Sequence, residues 1–81
     1  MIVEAVEHLV RGIVDSPDDV SVKLIRPQRR GRILRVRVNG DDMGRVIGRN
    51  GRTANALRTV VDAIDDGRGG LRLDFVDQTG R

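Results

Sequence analysis

The sequence contains no cysteine, tryptophan or tyrosine, and these absences exclude several kinds of site. Without cysteine the chain has no disulfide framework, no thiolate metal site and no cysteine nucleophile. Phe75 is the only aromatic residue, and its alternation with Leu71 and Leu73 predicts that it points into the core. No aromatic side chain is therefore left for the exposed stacking platforms on which RRM and OB domains hold single-stranded nucleic acid.

Long hydrophobic runs are also lacking, since no apolar stretch approaches the roughly 18 residues that a membrane-spanning helix needs. The first ten residues, MIVEAVEHLV, contain glutamates where a secretory signal peptide has basic residues. We therefore expect a soluble, cytoplasmic protein that does not insert into a membrane.

Candidate catalytic and metal-binding residues are scarce. His8 is the only histidine; it lies beside the apolar stripe of a predicted helix, and every serine is far from it in the sequence. The paired aspartates at 18–19, 41–42 and 65–66 fall in predicted turns or helix starts, where aspartate serves as a capping or turn residue. The segment GRNGRT lacks the lysine of a nucleotide-binding Walker loop. The sequence thus predicts no catalytic residue, no metal ligand, no cofactor and no enzymatic activity.

Positive charge is concentrated in the middle of the chain, although the net charge is only +3. Ten arginines and two aspartates lie between Arg26 and Arg58, a local balance of +8, whereas the rest of the chain holds five basic and ten acidic residues. Such asymmetry favours a polyanionic partner. A solvated surface rich in arginine is the alternative, since 14 of the 15 basic residues are arginine.

Apolar periodicity predicts a single domain with the element order α-β-β-α-α-β. The predicted helices cover residues 2–14, 43–47 and 52–64, and the predicted strands cover residues 20–25, 33–38 and 71–76. These elements bury each other most simply as an α+β fold of two layers, a three-stranded sheet with the helices on one face. The domain then spans residues 1–76, and residues 77–81 form a frayed tail.

The segment GRVIGRNGRTANALRTVV interrupts an apolar helical pattern with glycines. Asp41 or Asp42 is expected to cap the first of two helices, and the second begins directly after Gly-Arg-Asn-Gly at 48–51. Glycine allows positive φ, and the first turn of the second helix has unpaired N–H groups that favour a phosphate. Because Arg49 and Asn50 lie at the tip, the break is interpreted as a clamp for a phosphodiester backbone. The alternative is a corner whose glycines only let two helices pack closely.

The segment MGRVIGRNGRTANALRTVV resembles the signature of the KH domain, a module that binds single-stranded nucleic acid. The element order resembles the type II, bacterial form, and residues 2–76 are similar to the small bacterial proteins with one KH domain, the KhpA family. The segments DSPDDV and DMGRVIGRNGR also carry this similarity. The resemblance implies a protein that holds about four nucleotides at its GxxG loop, here residues 48–51, with the bases along an adjacent apolar groove.

Nine residues are assigned to RNA binding by the resemblance, in four groups. The first group holds the RNA backbone in the GxxG loop, the second contacts phosphates, the third lines the groove, and the fourth lies at the phosphate end of the following helix. The groups are, in this order, Gly48, Arg49, Asn50 and Gly51; Arg45 and Arg52; Val46 and Ile47; and Thr53.

The resemblance implies partners and a role. KH domains accept single-stranded RNA or single-stranded DNA, and RNA is favoured because the similar proteins bind RNA. The leading interpretation is a small post-transcriptional regulator or RNA chaperone. The alternative is a scaffold that forms a homodimer, or a heterodimer with the larger KH-containing protein KhpB, in control of cell elongation and division. Val60 is a spare apolar residue for such an interface.

One face of the predicted sheet is expected to carry no helices and to expose Arg35, Arg37 and Arg72. This face is interpreted either as a solvated surface or as a second contact for RNA or a partner. The basic segment RPQRRGR, residues 26–32, is assigned to a hairpin loop that can reach a neighbouring phosphate without reading its sequence.

Overall fold

The computed structural model describes residues 2–26, 31–65 and 70–78, in which helices and strands follow the predicted order α-β-β-α-α-β. The helices are α1 (Ile2–Arg11), α2 (Met43–Ile47) and α3 (Arg52–Ile64), and the strands are β1 (Ser21–Ile25), β2 (Arg32–Val38) and β3 (Leu71–Asp77). One-turn 3₁₀ helices cover Pro17–Asp19, Gly40–Asp42 and Arg49–Gly51. None of the described helices has the length and apolar character needed to span a membrane. The predicted α+β fold class is confirmed.

α2 and α3 have the predicted bounds, whereas α1 ends three residues earlier than its apolar pattern suggests. Beyond Arg11 the chain turns, because the N–H groups of Ile13 and Val14 both donate to the carbonyl of Val10. Ile13 and Val14 still pack against the core. The apolar periodicity therefore marks burial beyond the point at which the helix ends.

β3 continues one residue further than predicted, through Asp77. The N–H of Gln78 then donates to the carbonyl of Val38 at 2.7 Å, so the first two residues of the predicted tail extend the sheet. Parts of three predicted segments lie outside the described residues. These parts are 27–30 of the hairpin loop at 26–32, 66–69 of the loop DDGRGG at 65–70, and 79–81 of the tail at 77–81.

The sheet is mixed, with β2 in the centre. β1 pairs with β2 antiparallel, with Leu24 opposite Leu34, and β3 pairs with β2 in parallel, with Leu73 beside Leu34. Neighbouring parallel strands need a crossover connection, and α2, the GxxG loop and α3 form it. The GxxG loop therefore belongs to a connection whose two ends are fixed by hydrogen-bonded strands.

The core lies between one face of the sheet and the three helices. Leu34, Val36 and Val38 of β2 are completely buried, and Phe75 of β3 packs on this cluster, as the alternation predicts. The helices add the buried aliphatic residues Val6, Val10, Val46, Leu57 and Val61. Each valine or leucine buried in this way stabilises the fold by about 1.5–3 kcal/mol.

The described helices all contribute to the core on one side, and the other side of the sheet faces solvent. The residues of this second side alternate with the core residues and are exposed or half-buried: Ser21, Lys23, Ile25, Ile33, Arg35, Arg37, Arg72, Asp74 and Val76. We call these nine residues the sheet face. It carries the three arginines that the sequence predicts there.

Candidate nucleic-acid interface

Three residues of the GxxG loop have positive φ. Gly48 has φ 76° and ψ 173°, Asn50 has φ 57° and ψ 26°, and Gly51 has φ 76° and ψ 14°. Most side chains disfavour this region, although asparagine tolerates the left-handed conformation better than most residues. The motif Gly-Arg-Asn-Gly therefore suits the backbone at each of these positions, and Asn50 has a conformational role in addition to its polar side chain.

Gly48 is required by space as well as by conformation. A Cβ atom at this position would meet the hydroxyl of Thr53 and would lie 2.8 Å from the backbone nitrogen of the same residue. A Cβ atom on Gly51 would have no described atom within 4 Å. The loop is thus packed tightly on the first turn of α3 at Gly48 and is open at Gly51.

The loop end of α3 presents three polar side chains to solvent. Arg49, Asn50 and Arg52 are exposed, and neither arginine has an ion pair within 4 Å among the described residues. The N–H of Arg52 donates to the carbonyl of Arg49. Gly51 occupies the N-cap position of α3 without a side-chain acceptor, so no capping side chain competes with an external anion for the first-turn amides that follow Arg52. Two guanidinium groups and the partial positive charge of a helix terminus therefore lie together at one exposed turn.

Arg45 of α2 is directed away from the loop, towards the turn that follows α1. Its Nη2 lies 2.9 Å from Oδ2 of Asp15, and its Nε lies 3.9 Å from Oδ1 of Asp42. The predicted phosphate contact therefore requires Arg45 to exchange Asp15 for a phosphate. The side chains of Arg45 and Asp15 are both largely exposed, so breaking their ion pair requires little free energy.

Asp42 precedes α2, and its carboxylate holds this helix against the turn after α1. It occupies the N-cap position, but its side chain makes no capping hydrogen bond to the helix. Its carboxylate is 2% exposed and accepts hydrogen bonds from the backbone N–H groups of Asp15 (3.2 Å) and Ser16 (3.1 Å). Asp41 is exposed, and its N–H donates to the side chain of Asn39. The prediction that Asp41 or Asp42 lies at the N-cap of α2 is confirmed for Asp42, but the carboxylate accepts from the turn after α1 and not from the helix.

Only one of the two predicted groove residues reaches the surface. Val46 is completely buried in the core, whereas Ile47 is 38% exposed. Successive residues of a helix point about 100° apart. Val46 points into the core, so the next residue, Ile47, points towards the surface. The prediction that Val46 lines an RNA groove is therefore wrong, and Ile47 is the aliphatic side chain available beside the loop.

A sequence model described as the KhpA/KhpB KH domain matches residues 3–72, a range that includes the whole GxxG loop. The chain belongs to the KhpA/KhpB family of KH domains. This family is non-catalytic, so the prediction that the chain is not an enzyme is confirmed. Among the described residues, no group of three or more histidine or acidic side chains is placed to hold a metal ion.

Curated relatives of this KH domain are similar over nearly its whole length. The RNA-binding protein KhpA of Streptomyces coelicolor is 66% identical over 77 residues, which cover 95% of this chain and 94% of the relative. The KhpA of Mycobacterium bovis is 62% identical over 95% of this chain and 92% of its own. The KhpA of Halalkalibacterium halodurans is 45% identical over 89% of this chain and 95% of its own. No solved structure matches the chain.

An ion pair that the sequence does not predict fixes the far end of α3 in this KH domain. The two Nη atoms of Arg32 donate to the two carboxylate oxygens of Asp65, each at 2.7 Å, and this hydrogen bonding raises the pKa of Arg32. The sequence assigns Arg32 to the hairpin loop, but it is the first residue of β2 and has the same parity as the core residue Leu34. A charged residue at a strand position that faces the core needs an oppositely charged partner, and this pattern is the signal that would have predicted the ion pair.

A groove lies beside the second half of α3 in the KH domain. Its volume is about 260 Å³, and it is lined by Arg58, Val61, Asp62, Leu71, Arg72 and Leu73. Arg58 is six residues from Arg52, which places the groove about 9 Å along the helix axis from the GxxG loop. The sequence does not predict this groove, because its two walls, α3 and β3, come together only through the crossover connection.

Proposed function

We propose that the chain binds a short segment of single-stranded RNA with its GxxG loop, as a small post-transcriptional regulator or RNA chaperone. The observation that carries this function is the exposed turn where Arg49, Asn50 and Arg52 lie beside the N-terminus of α3. The similar proteins bear the name RNA-binding protein KhpA, which supports RNA as the ligand.

The phosphodiester backbone would lie against the GxxG loop. The amides of the first turn of α3 donate to phosphate oxygens, while Arg49 adds charge at the tip of the loop and Arg52 adds charge at the helix start. Thr53 packs against Gly48 and holds the loop in the shape that exposes these groups. Arg45 becomes a further phosphate contact when it leaves Asp15.

The bases would lie on apolar surface beside the loop. Ile47 is exposed at the end of α2, and the groove between α3 and β3 offers further surface with Arg58 at its rim. Because Phe75 is packed on the core, base contacts are limited to aliphatic side chains and hydrogen bonds. Affinity would therefore depend mainly on the phosphates, and binding would be weak and sensitive to salt.

Replacing Arg49 and Asn50 together by aspartate tests this function. Aspartate, like asparagine, tolerates the left-handed conformation at position 50, and both glycines remain, so the fold should be unchanged. We expect the affinity for a single-stranded oligoribonucleotide to fall more than about tenfold, because negative charge replaces positive charge at the loop tip. Fluorescence anisotropy measures the affinity, and circular dichroism checks the fold.

The matched control for the loop variant is His8→Glu with Arg11→Glu, which changes the net charge equally at exposed positions on α1. This control should bind RNA nearly as well as the unchanged chain. An unchanged affinity in the loop variant, or an equal loss in the control, would contradict binding at the GxxG loop.

Titrations at several salt concentrations separate phosphate binding from other kinds of binding. Each phosphate contact to a single strand contributes about 0.7 to the slope of log affinity against log salt concentration. An affinity that does not change with salt would contradict binding led by phosphates. The same titration with DNA of identical sequence shows whether the 2′-hydroxyl contributes.

A second candidate function is a dimeric scaffold, and two exposed side chains of α3 favour it. Val60 (42% exposed) and Ile64 (41% exposed) lie one helical turn apart and form an apolar stripe. A second copy of the chain would cover the stripe and bring two GxxG loops together, which raises avidity. A KhpB-like KH protein in the same place would serve the control of cell elongation and division.

The substitution Val60→Glu distinguishes the two candidate functions. If the stripe is a dimer interface, this variant should sediment as a monomer, whereas the loop variant at Arg49 and Asn50 should keep its oligomeric state. A dimer lost in the loop variant would indicate that the GxxG loop itself makes the protein contact, and would favour the scaffold over RNA binding.

A further inference from the structure

The sheet face carries four cations and one acid, a net charge of +3. The cations are Lys23 of β1, Arg35 and Arg37 of β2 and Arg72 of β3, and the acid is Asp74. Within the described part of the chain, Arg35 alone among these cations has an ion pair, at 3.7 Å from Asp74. The described residues therefore leave most of the positive charge on this face unneutralised.

The pairing register of the sheet places like charges side by side. Lys23 lies directly opposite Arg35 in the antiparallel pair of β1 and β2. Like charges at opposed positions destabilise a sheet. In addition, the Nε of Arg35 is buried and has no hydrogen-bond partner among the described residues, which is unfavourable for a polar group. Arg35 has a stabilising neighbour in Asp74, its register partner on β3. The stability of the fold does not explain the other three cations, whereas an anionic ligand would.

Arg72 connects the sheet face with the helical side of the molecule. It lies on β3, which is an edge strand, and it borders the groove beside α3. Arg72 also borders a second depression of about 260 Å³ on the sheet face, which is lined by Ile33, Arg72, Leu73 and Asp74. A nucleic-acid strand that leaves the groove beside α3 would therefore meet Arg72 first and the rest of the sheet face next.

We infer that the sheet face is a second phosphate-binding surface, onto which RNA held at the GxxG loop continues around the β3 edge. This inference rests on the proposed function. Arg35 and Arg37 lie about 7 Å apart along β2, and Lys23 lies about 5 Å from Arg35 across the strands, spacings that suit a ligand with several charges. Arg72 lies beside Ile33 at the β3 edge.

The side chains of the sheet face favour RNA over a protein partner. A protein interface needs apolar residues at its centre. The large aliphatic residues that are exposed in the described chain are Ile47, Val60 and Ile64, and all three lie on helices. The sheet face offers Ile25, Ile33 and Val76 only as half-buried side chains between charged neighbours.

RNA length separates the two surfaces in an experiment. An RNA of about five nucleotides fills only the GxxG loop, since a KH domain holds about four nucleotides, whereas one of about twenty nucleotides reaches both surfaces. The variant Lys23→Gln/Arg37→Gln removes two exposed cations that have no ion pair among the described residues, so the sheet should persist.

We expect this variant to bind the short RNA as well as the unchanged chain does. Its affinity for the long RNA should fall roughly twentyfold at 0.1 M salt, because each of two lost contacts carries a salt slope of about 0.7. The salt slope for the long RNA should fall by about 1.4. The control Arg11→Glu changes the net charge equally on α1 and should leave both affinities and both slopes nearly unchanged.

The inference is overturned if the sheet-face variant loses the same affinity for both RNA lengths, or for neither. If RNA binding is unchanged and sedimentation changes instead, the sheet face is a protein interface. Failure of the proposed function shows in a different measurement, namely unchanged binding of the short RNA by the variant with aspartate at positions 49 and 50. The two failures are therefore distinguishable.

Discussion

The carboxylate of Asp15, in the turn after α1, lies 2.9 Å from the guanidinium of Arg45 on α2. Arg45 precedes the GxxG loop by less than one helical turn, so the pair gives a basic side chain near the loop an internal anion. In the proposed function, a phosphate would compete with Asp15 for this guanidinium. Exposed ion pairs contribute about 0–1 kcal/mol, so the competition is mild and can be measured.

The substitution Asp15→Asn should raise the affinity for single-stranded RNA by up to about fivefold at low salt, because Arg45 is then released for a phosphate. Asp18→Asn is the matched control, since Asp18 is exposed and has no ion pair among the described residues. Anisotropy titrations of both variants measure the difference. An equal gain in the two variants would show that net charge alone, and not the release of Arg45, controls binding.

The two loop glycines should differ in their tolerance of alanine. Gly48→Ala combines positive φ with a clash against Thr53 and should lower the free energy of unfolding by about 2 kcal/mol or more. Gly51→Ala has open space around the new methyl group and should cost only about 1 kcal/mol, the penalty for a left-handed conformation. Urea denaturation measures both, and equal losses would contradict the packing of Gly48 on Thr53.

Asp42 should be far less replaceable than its neighbour Asp41. Asp42→Ala leaves the N–H groups of Asp15 and Ser16 without the buried carboxylate that accepts from them, and should lower the free energy of unfolding by about 2–4 kcal/mol. Asp41→Ala removes an exposed carboxylate and should change it by less than about 0.5 kcal/mol. The reverse order in urea denaturation would mean that Asp41 is the functional cap after all.

The pair of Arg32 and Asp65 should couple β2 to the end of α3. Asp65→Asn should lower the midpoint of thermal unfolding more than Asp62→Asn, because Asp62 is exposed while Asp65 is nearly buried and bound to Arg32 through two hydrogen bonds. A double-mutant cycle with Arg32→Gln isolates the interaction. Additive effects of the two substitutions would contradict a direct coupling between these side chains.

Helices and strands could be predicted from the sequence wherever the apolar residues of the local pattern are also the residues that the tertiary structure buries. The alternation of Leu34, Val36 and Val38 predicts β2, and the burial of all three confirms it. α1 shows the limit of this reasoning, because apolar residues continue beyond its end at Arg11 to Val14. The apolar periodicity predicts which side chains are buried, but it does not determine the residue at which the helical backbone ends.

The positions of the loop residues could be predicted, but the partners of the charged side chains could not. The glycine spacing places Arg49 at an exposed tip, because only local backbone geometry is involved. The partners of Asp42 and Arg45, in contrast, come from the turn after α1, which is distant in the sequence. The prediction for Val46 is wrong because the exposure of this residue depends on how α2 is rotated against the sheet, which the local sequence pattern does not determine.

The crossover connection fixes the GxxG loop at both ends, and Gly48 is packed against Thr53. A loop constrained in this way has little conformational freedom left to lose, whereas a single-stranded RNA has a great deal. In the proposed function, the entropy lost on association would therefore fall mainly on the nucleic acid. Transcripts that already hold a short unpaired stretch extended, as hairpin loops and bulges do, would lose less, so selection among transcripts would depend on their secondary structure before their base sequence.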